Sequence, residues 1–287
     1  MSATIWEDLV SLNSHADNEF EVLGPARDYR ETDGRLNEWA SENLDFESAL
    51  DRDICPLPET KDREGYYGPH HFSYWASGLR DMRNVMQATE RLGVEVQSYF
   101  DFGCASGRVI RHFLANYPQM EVIGCDINRR HVEWCTKYLP LKGIVFQSHS
   151  LPALPIPDNS LDAVSAFSVF THIEAFESAW LMELRRILKP GGIAWVTVHT
   201  ELTLAAMTPG WPLYKALAKH PKYEKMEDKA AMHDDRLVFR WHNDRSYSSN
   251  VFYRREYLER TWDRILKIKE FHHRLPVFQD VVVMQKV

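Results

Sequence analysis

Residues 101–108 read Asp101-Phe102-Gly103-Cys104-Ala105-Ser106-Gly107-Arg108, directly behind the short apolar run 96–102. An apolar strand that runs into a glycine-rich turn and then a helix is the opening of a βα unit built to hold a ligand. Glycines let backbone approach the ligand without a Cβ in the way. The helix that follows, spaced over 109–117 with Val109, Ile110, Phe113 and Leu114 on one face, turns free N–H groups toward the same place.

Two kinds of nucleotide ligand compete for such a loop. A dinucleotide fingerprint needs Gly-x-Gly-x-x-Gly. With Gly103 as its first glycine, the other two positions hold Ala105 and Arg108, so the pattern fails. Charge is the second discriminator. Asp101 ends the strand just before the glycines, where it would repel a pyrophosphate and attract an ammonium group. A second acid, Asp126, ends the next apolar run at 121–125 and is placed to accept ribose hydroxyls.

The same alternation continues outward. A helix is expected over 130–139 with Asn128 as its cap, and strands over 144–146 and 161–167. A helix over 177–188 is expected to stop at Pro190-Gly191-Gly192, with a fifth strand over 193–198. Alternating strands and helices of these lengths predict βαβ units and a parallel sheet, with ligands beyond the carboxyl ends of the strands. Upstream, short helices are expected at 6–12 and 36–50, and a long one at 72–92 ended by Gly93. The stretch 51–70, rich in proline, glycine and charge, reads as a linker or surface loop.

The motifs together resemble the class I S-adenosylmethionine (SAM) dependent methyltransferases. The resemblance rests on residues 99–107 as the glycine motif, on 122–126, on 154–162 before strand four, and on 186–192 before strand five. More loosely, 253–258 and 278–283 look like the last helix and the terminal strand. It implies a Rossmann-like, seven-stranded, mostly parallel sheet with helices on both faces and an antiparallel last strand. It also implies SAM as cofactor. The contacts it implies in the first two loops are Asp101, Gly103, Cys104, Ala105, Gly107, Asp126 and Ile127. Ser150, Leu151 and Phe167 follow after strands three and four. Two positions depart from the pattern: Ala105 replaces the middle glycine, and Ser150 stands where an adenine-binding Asp is usual.

Two histidines are candidate bases, since a hydroxyl acceptor must lose its proton and histidine is suited to take it. His172 follows strand four, with packing or capping of the helix near 174 as the competing reading; His199 ends strand five, with a structural hydrogen bond as the competing reading. Arg108 is read either as a contact to the cofactor carboxylate or as a surface charge at a helix start. The expected domains are an N-terminal extension, 1–92, and a methyltransferase domain, 93–287. Within the latter, 201–250 is an aromatic-rich insertion that could lid the pocket, with a hairpin at 237–250. The aromatic stretch 66–75 is read as an arm over the cofactor or a subunit contact.

The whole-chain numbers narrow the class. The 287 residues carry a net charge of −7, against the basic face that phosphate backbones require, so no nucleic-acid partner is expected. No window approaches the run of about 18 apolar residues that a membrane span needs, and the first 25 residues hold no signal-type core, so a cytoplasmic protein is expected. The four cysteines form no Cys-x-x-Cys pair and the histidines show no metal spacing, so free thiols and no metal are expected. The leading expectation is O-methylation of a small molecule or a sugar, and a homo-oligomer is left open. N-methylation, a non-catalytic SAM-fold protein and a nucleotide-dependent oxidoreductase are the alternatives.

Overall fold

The computed structural model describes residues 19–140, 143–242, 247–275 and 278–287. The helix expected at 6–12 lies outside them, as does Ser246 of the expected hairpin. The chain divides into two compact units, the first within Ser11–His149 and the second containing Ser150–Val287. Residues 19–92 of the expected extension fall in the same unit as the glycine motif.

In the first unit the strands are β1 (Val22–Pro25), β2 (Pro56–Pro58), β3 (Ser98–Phe102), β4 (Glu121–Asp126) and β5 (Ile144–Gln147), with helices α1 (Phe46–Arg52), α2 (His71–Arg91), α3 (Ile110–Asn116) and α4 (Arg129–Tyr138). β4 lies between β3 and β5, parallel to both. Every residue of β3 is buried, as expected for a strand covered on both faces. Asn128 caps α4 by accepting the Arg130 N–H, as expected from sequence. The region expected as a helix over 36–50 is a short 3-10 turn (Leu36–Trp39) followed by α1, which Asp45 caps.

The stretch 51–70 is only in part a surface loop. Leu57 is wholly buried, and Asp53, Asp62 and Arg63 are each 3 % exposed. Two of the charges that suggested solvent, Asp53 and Asp62, are paired inside. Asp53 accepts from Arg111 Nε at 2.6 Å and Nη2 at 3.2 Å, and from the Trp75 indole at 2.8 Å. Arg111 also donates to the carbonyls of Cys55 and Pro56. β2 then pairs antiparallel with β1, which closes the segment onto α3. Helix α2 packs equally closely: a Cβ on Gly78 would come within 1.8 Å of the Arg108 carbonyl oxygen, so only glycine fits there.

The second unit holds β6 (Leu161–Ala166), α5 (Glu177–Ile187), β7 (Leu188–Thr200), α6 (Glu201–Ala206), α7 (Pro212–Leu217), α8 (Pro221–Glu224), β8 (Arg236–Arg240), β9 (Ser249–Tyr253), α9 (Arg255–Thr261), β10 (Lys267–His272) and β11 (Asp280–Gln285). β7 runs parallel to β6, and β11 runs antiparallel between β7 and β10. The first unit thus holds three parallel strands in one array, and the second a four-stranded array whose terminal strand is antiparallel. β10 had no sequence assignment of its own.

Pro190-Gly191-Gly192 does not separate helix from strand. The helix ends at Ile187 and β7 already starts at Leu188. The glycines stay in the strand because Lys286 pairs with them: its carbonyl accepts the Gly191 N–H at 2.7 Å and its own N–H donates to Gly192 at 2.9 Å. The insertion builds a small core of its own from Leu204, Leu217, Tyr223, Leu237, Phe239 and Phe252. Its hairpin, β8 with β9, is antiparallel as expected, and β9 adds in parallel to the end of β7, placing Phe252 beside His199. Among the described residues no helix is long and apolar enough to cross a membrane.

Burial alone raises the Asp53 pKa, but the Arg111 charge and hydrogen bonds outweigh it and hold the carboxyl below its ordinary value. Asp53→Ala strands the Arg111 charge in the interior. A loss of about 3–5 kcal/mol in unfolding free energy is expected, read from the shift of a urea midpoint; an unchanged midpoint would show that the pair anchors nothing.

Candidate functional site

The glycine loop is held from both sides within the first unit. The Cys125 carbonyl, on β4, accepts the N–H groups of Gly103 (2.9 Å) and Cys104 (2.8 Å). Gly103, Ala105 and Gly107 all have left-handed φ, of 78°, 46° and 84°. That conformation is free for glycine but costs an L-residue about 1–2 kcal/mol, so Ala105 is a strained position. Its N–H donates to Asp126 Oδ2 at 2.8 Å, a charged hydrogen bond that offsets the strain. A Cβ at Gly107 would meet Leu139 at 2.6 Å and Cys135 Sγ at 3.3 Å, so the loop has no space for a side chain there.

Asp126 stands at the tip of β4 and is 8 % exposed. Its Oδ1 accepts the Asn128 N–H at 2.8 Å and lies 3.3 Å from His131 Nδ1. A carboxylate has about four acceptor positions, so capacity remains for a ribose hydroxyl. Burial lowers the His131 pKa, but the Asp126 hydrogen bond and charge overcome this and raise it. His131 was missed in the sequence; its only signal is its place one turn into the helix that Asp126 precedes. Asp101 is 1 % exposed at the end of β3, and Ile127 is half-buried just beyond Asp126.

The segment ahead of the glycine motif reaches the loop directly. Ser106 Oγ donates to the Asp62 carbonyl at 2.6 Å, and the Asp62 carboxylate takes Arg130 Nε at 2.5 Å. Arg108 is neither a surface charge nor turned outward: its Nη1 lies 2.5 Å from Asp81 and 3.2 Å from Ser77 Oγ on α2. The cysteines are free thiols; burial pushes Cys125 above its ordinary value, and Cys104, beside Cys135, is raised as well.

The second unit carries the remaining candidates. Ser150 is 3 % exposed, and its Oγ has no hydrogen-bond partner, which suits a group kept for a ligand. Its carbonyl accepts from the Tyr247 hydroxyl. Leu151 is half-buried beside it, and Phe167 is 8 % exposed just past β6.

The loop after β6 is tied to β9. The Val251 N–H donates to the Thr171 carbonyl at 2.8 Å, and the Tyr253 hydroxyl donates to the carbonyls of Phe170 (3.0 Å) and Ile173 (3.2 Å). His172 in this loop is exposed, with Nδ1 2.7 Å from the Ser249 carbonyl. His199 is buried, its ring stacked on Phe252 at 5.1 Å. Burial pushes its pKa down to about 3; the neighbouring His172 adds to this, and a hydrogen bond to the Phe278 backbone opposes it.

Known proteins agree with this architecture. Residues 100–196 match the family model of a methyltransferase domain. The chain is 26 % identical to a sterol 24-C-methyltransferase of Gibberella zeae over 58 % of its length and 46 % of that protein. It is 26 % identical to a fatty-acid O-methyltransferase of Mycolicibacterium smegmatis over 45 % of its length and 44 % of that protein. The chain thus spans less than half the length of these two relatives.

Among solved structures, DesVI of Streptomyces venezuelae superposes with a TM-score of 0.53 at 16 % identity, covering 79 % of this chain and 98 % of that one. A 1,6-didemethyltoxoflavin-N1-methyltransferase of Burkholderia thailandensis gives 0.50 at 11 % identity, covering 79 % and 85 %. Fold and loop define a Rossmann-like methyltransferase domain. Residues 100–196 thus match a methyltransferase domain, and the fold is similar to that of the class I SAM-dependent methyltransferases, whose cofactor is S-adenosylmethionine.

The residues present fit that cofactor. Two strand-tip acids, Asp101 and Asp126, flank a loop with no space for a side chain at Gly107. Asp126→Asn should weaken S-adenosylhomocysteine binding about 10-fold or more, the loss of one charged hydrogen bond, in a calorimetric titration. Unchanged affinity would remove Asp126 from the site.

His199 gives a pH dependence. It is neutral when folded and takes a proton near pH 6.5 when unfolded. The unfolded chain then binds more protons, so stability falls as pH drops below about 6.5. His199→Phe should flatten that part of the melting-temperature profile, and an unaltered profile would show that the ring is not withdrawn from water.

Proposed function

We propose that the protein transfers the methyl group of SAM to a hydroxyl of a small molecule or a sugar, with His172 as general base. When bound, the sulfonium supplies an already activated methyl, so orientation of the acceptor and removal of its proton are what the chain must add. The carrying observation is the 2.7 Å contact between His172 Nδ1 and the Ser249 carbonyl. A carbonyl only accepts, so the ring proton sits on Nδ1 and Nε2 is the acceptor, the nitrogen that takes the proton from the substrate.

The same strand steadies the loop further. Ser249 Oγ donates to Glu174, and Glu174 pairs with Arg240 at 2.6 Å. The insertion thereby serves as a wall that holds the β6 loop. His199 suits the base role less well: a buried imidazole with its pKa near 3 binds a proton too weakly to draw one from a hydroxyl near neutral pH. It is the ring that packs Phe252 against the end of β7. The fatty-acid O-methyltransferase among the relatives supports oxygen as the accepting atom.

The test is turnover of a hydroxyl acceptor found by screening small alcohols, phenols and sugars with labelled SAM. His172→Ala should lower kcat by about 10²–10⁴-fold and remove the rising limb of the pH–rate profile, with S-adenosylhomocysteine affinity retained. Transfer to amines at an undiminished rate in that variant would replace this reading with N-methylation.

A further inference from the structure

We propose that Arg63 and Tyr74 form a carboxylate-binding site in the segment ahead of the glycine motif. The proposal rests on the cofactor reading for the source of the carboxylate, but the site itself stands on geometry of its own.

Arg63 is almost wholly withdrawn from water, at 3 % exposure. Two other buried arginines each meet an acid: Arg111 meets Asp53 at 2.6 Å, and Arg80 meets Asp81 at 3.3 Å. Arg63 has no such partner among the described residues. Its Nη2 is served by neutral groups, the Gly68 carbonyl, the Thr60 hydroxyl at 3.4 Å and His71 Nδ1 at 2.8 Å. Its Nε and Nη1 are buried without any hydrogen-bond partner.

A buried guanidinium with no counter-charge and two open nitrogens is costly, and an anion removes that cost. The guanidinium lies 4.6 Å over the ring of Tyr74, which is 2 % exposed and whose hydroxyl is also buried without a partner. Guanidinium and hydroxyl together are a donor set for a single small oxyanion, and a guanidinium matches the planar carboxylate best.

The neighbouring residue points to the source. Asp62 accepts the Ser106 hydroxyl of the glycine loop at 2.6 Å, so Arg63 stands one residue from the cofactor loop, within the same unit. The amino-acid end of the cofactor carries one carboxylate and one ammonium; the strand-tip acid Asp101 suits the second, and Arg63 with Tyr74 the first. The turn at 64–68, where Glu64, Gly65, Tyr67 and Gly68 all have left-handed φ, borders the site, and the Gly68 carbonyl accepts from Arg63. An acidic methyl acceptor is the other source of the same chemistry.

The test uses the full chain as wild type, Tyr74→Phe and Arg63→Gln. Tyr74→Phe keeps the ring under the guanidinium and removes only the hydroxyl, so it guards against loss of fold. S-adenosylhomocysteine and 5′-methylthioadenosine, which lacks the aminoacyl group, are titrated calorimetrically. Melting temperatures are taken in sodium acetate and in sodium chloride at equal ionic strength.

Each variant should bind S-adenosylhomocysteine about 10-fold more weakly, with methylthioadenosine affinity unchanged. Acetate should raise the melting temperature of wild type alone. If acetate still distinguishes wild type from variants while both nucleosides are affected alike, the site holds and its carboxylate comes from the acceptor. Wild type that binds neither nucleoside yet keeps the acetate effect overturns the cofactor reading and leaves the site. If neither acetate nor the aminoacyl group distinguishes the variants from wild type, the proposal is overturned.

Discussion

The carboxylate of Asp126 is the interaction around which the cofactor loop is organised. One oxygen accepts the N–H of Ala105, the strained left-handed residue at the centre of the glycine loop. The other accepts the N–H of Asn128, which itself caps α4. A single acid thus joins the loop after β3 to the helix after β4. The arrangement also accounts for alanine at a position where glycine is usual in the family. The backbone penalty of a left-handed alanine is met by a charged acceptor at 2.8 Å.

The second organising constraint is the way buried charges are matched. Asp53 with Arg111 and Asp62 with Arg130 draw a charged and proline-rich segment into the interior against α3 and α4, and Asp81 with Arg108 ties α2 to the glycine loop. The geometry of the loop therefore depends on residues well upstream of the matched domain. In the second unit the insertion has the same relation to the β6 loop: β9 lends its backbone to His172 and its Tyr253 hydroxyl to the carbonyls on either side. Neither added segment is a passive cover. Each holds one of the loops from which a Rossmann-like sheet does its chemistry.

Reading the sequence succeeded where the signal is local. The strands and helices from 98 to 187 follow apolar spacing, turn residues and caps, all of which act over a few positions. The glycine motif and the two strand-tip acids were legible for the same reason, since stereochemistry and charge at a loop depend on its own residues. Reading failed in part at 51–70, where composition indicated solvent and tertiary pairing placed Asp53 and Asp62 inside. It failed at Pro190–Gly192, where Lys286, far along the chain, keeps the glycines in a strand. It also left β10 unassigned, because a half-exposed edge strand carries little apolar signal.

The sequence by itself determined the class of fold and the type of cofactor, because alternation of apolar runs and the spacing of Asp101, Gly103, Gly107 and Asp126 are properties of neighbouring residues. Only the tertiary structure separated His172 from His199. Both end or follow strands on the ligand edge, and what differs is burial and one hydrogen bond from a strand about eighty positions away. It alone showed Arg63 without a counter-ion among the described residues, since pairing between charges far apart in sequence is settled by how the chain packs and leaves no local pattern to read.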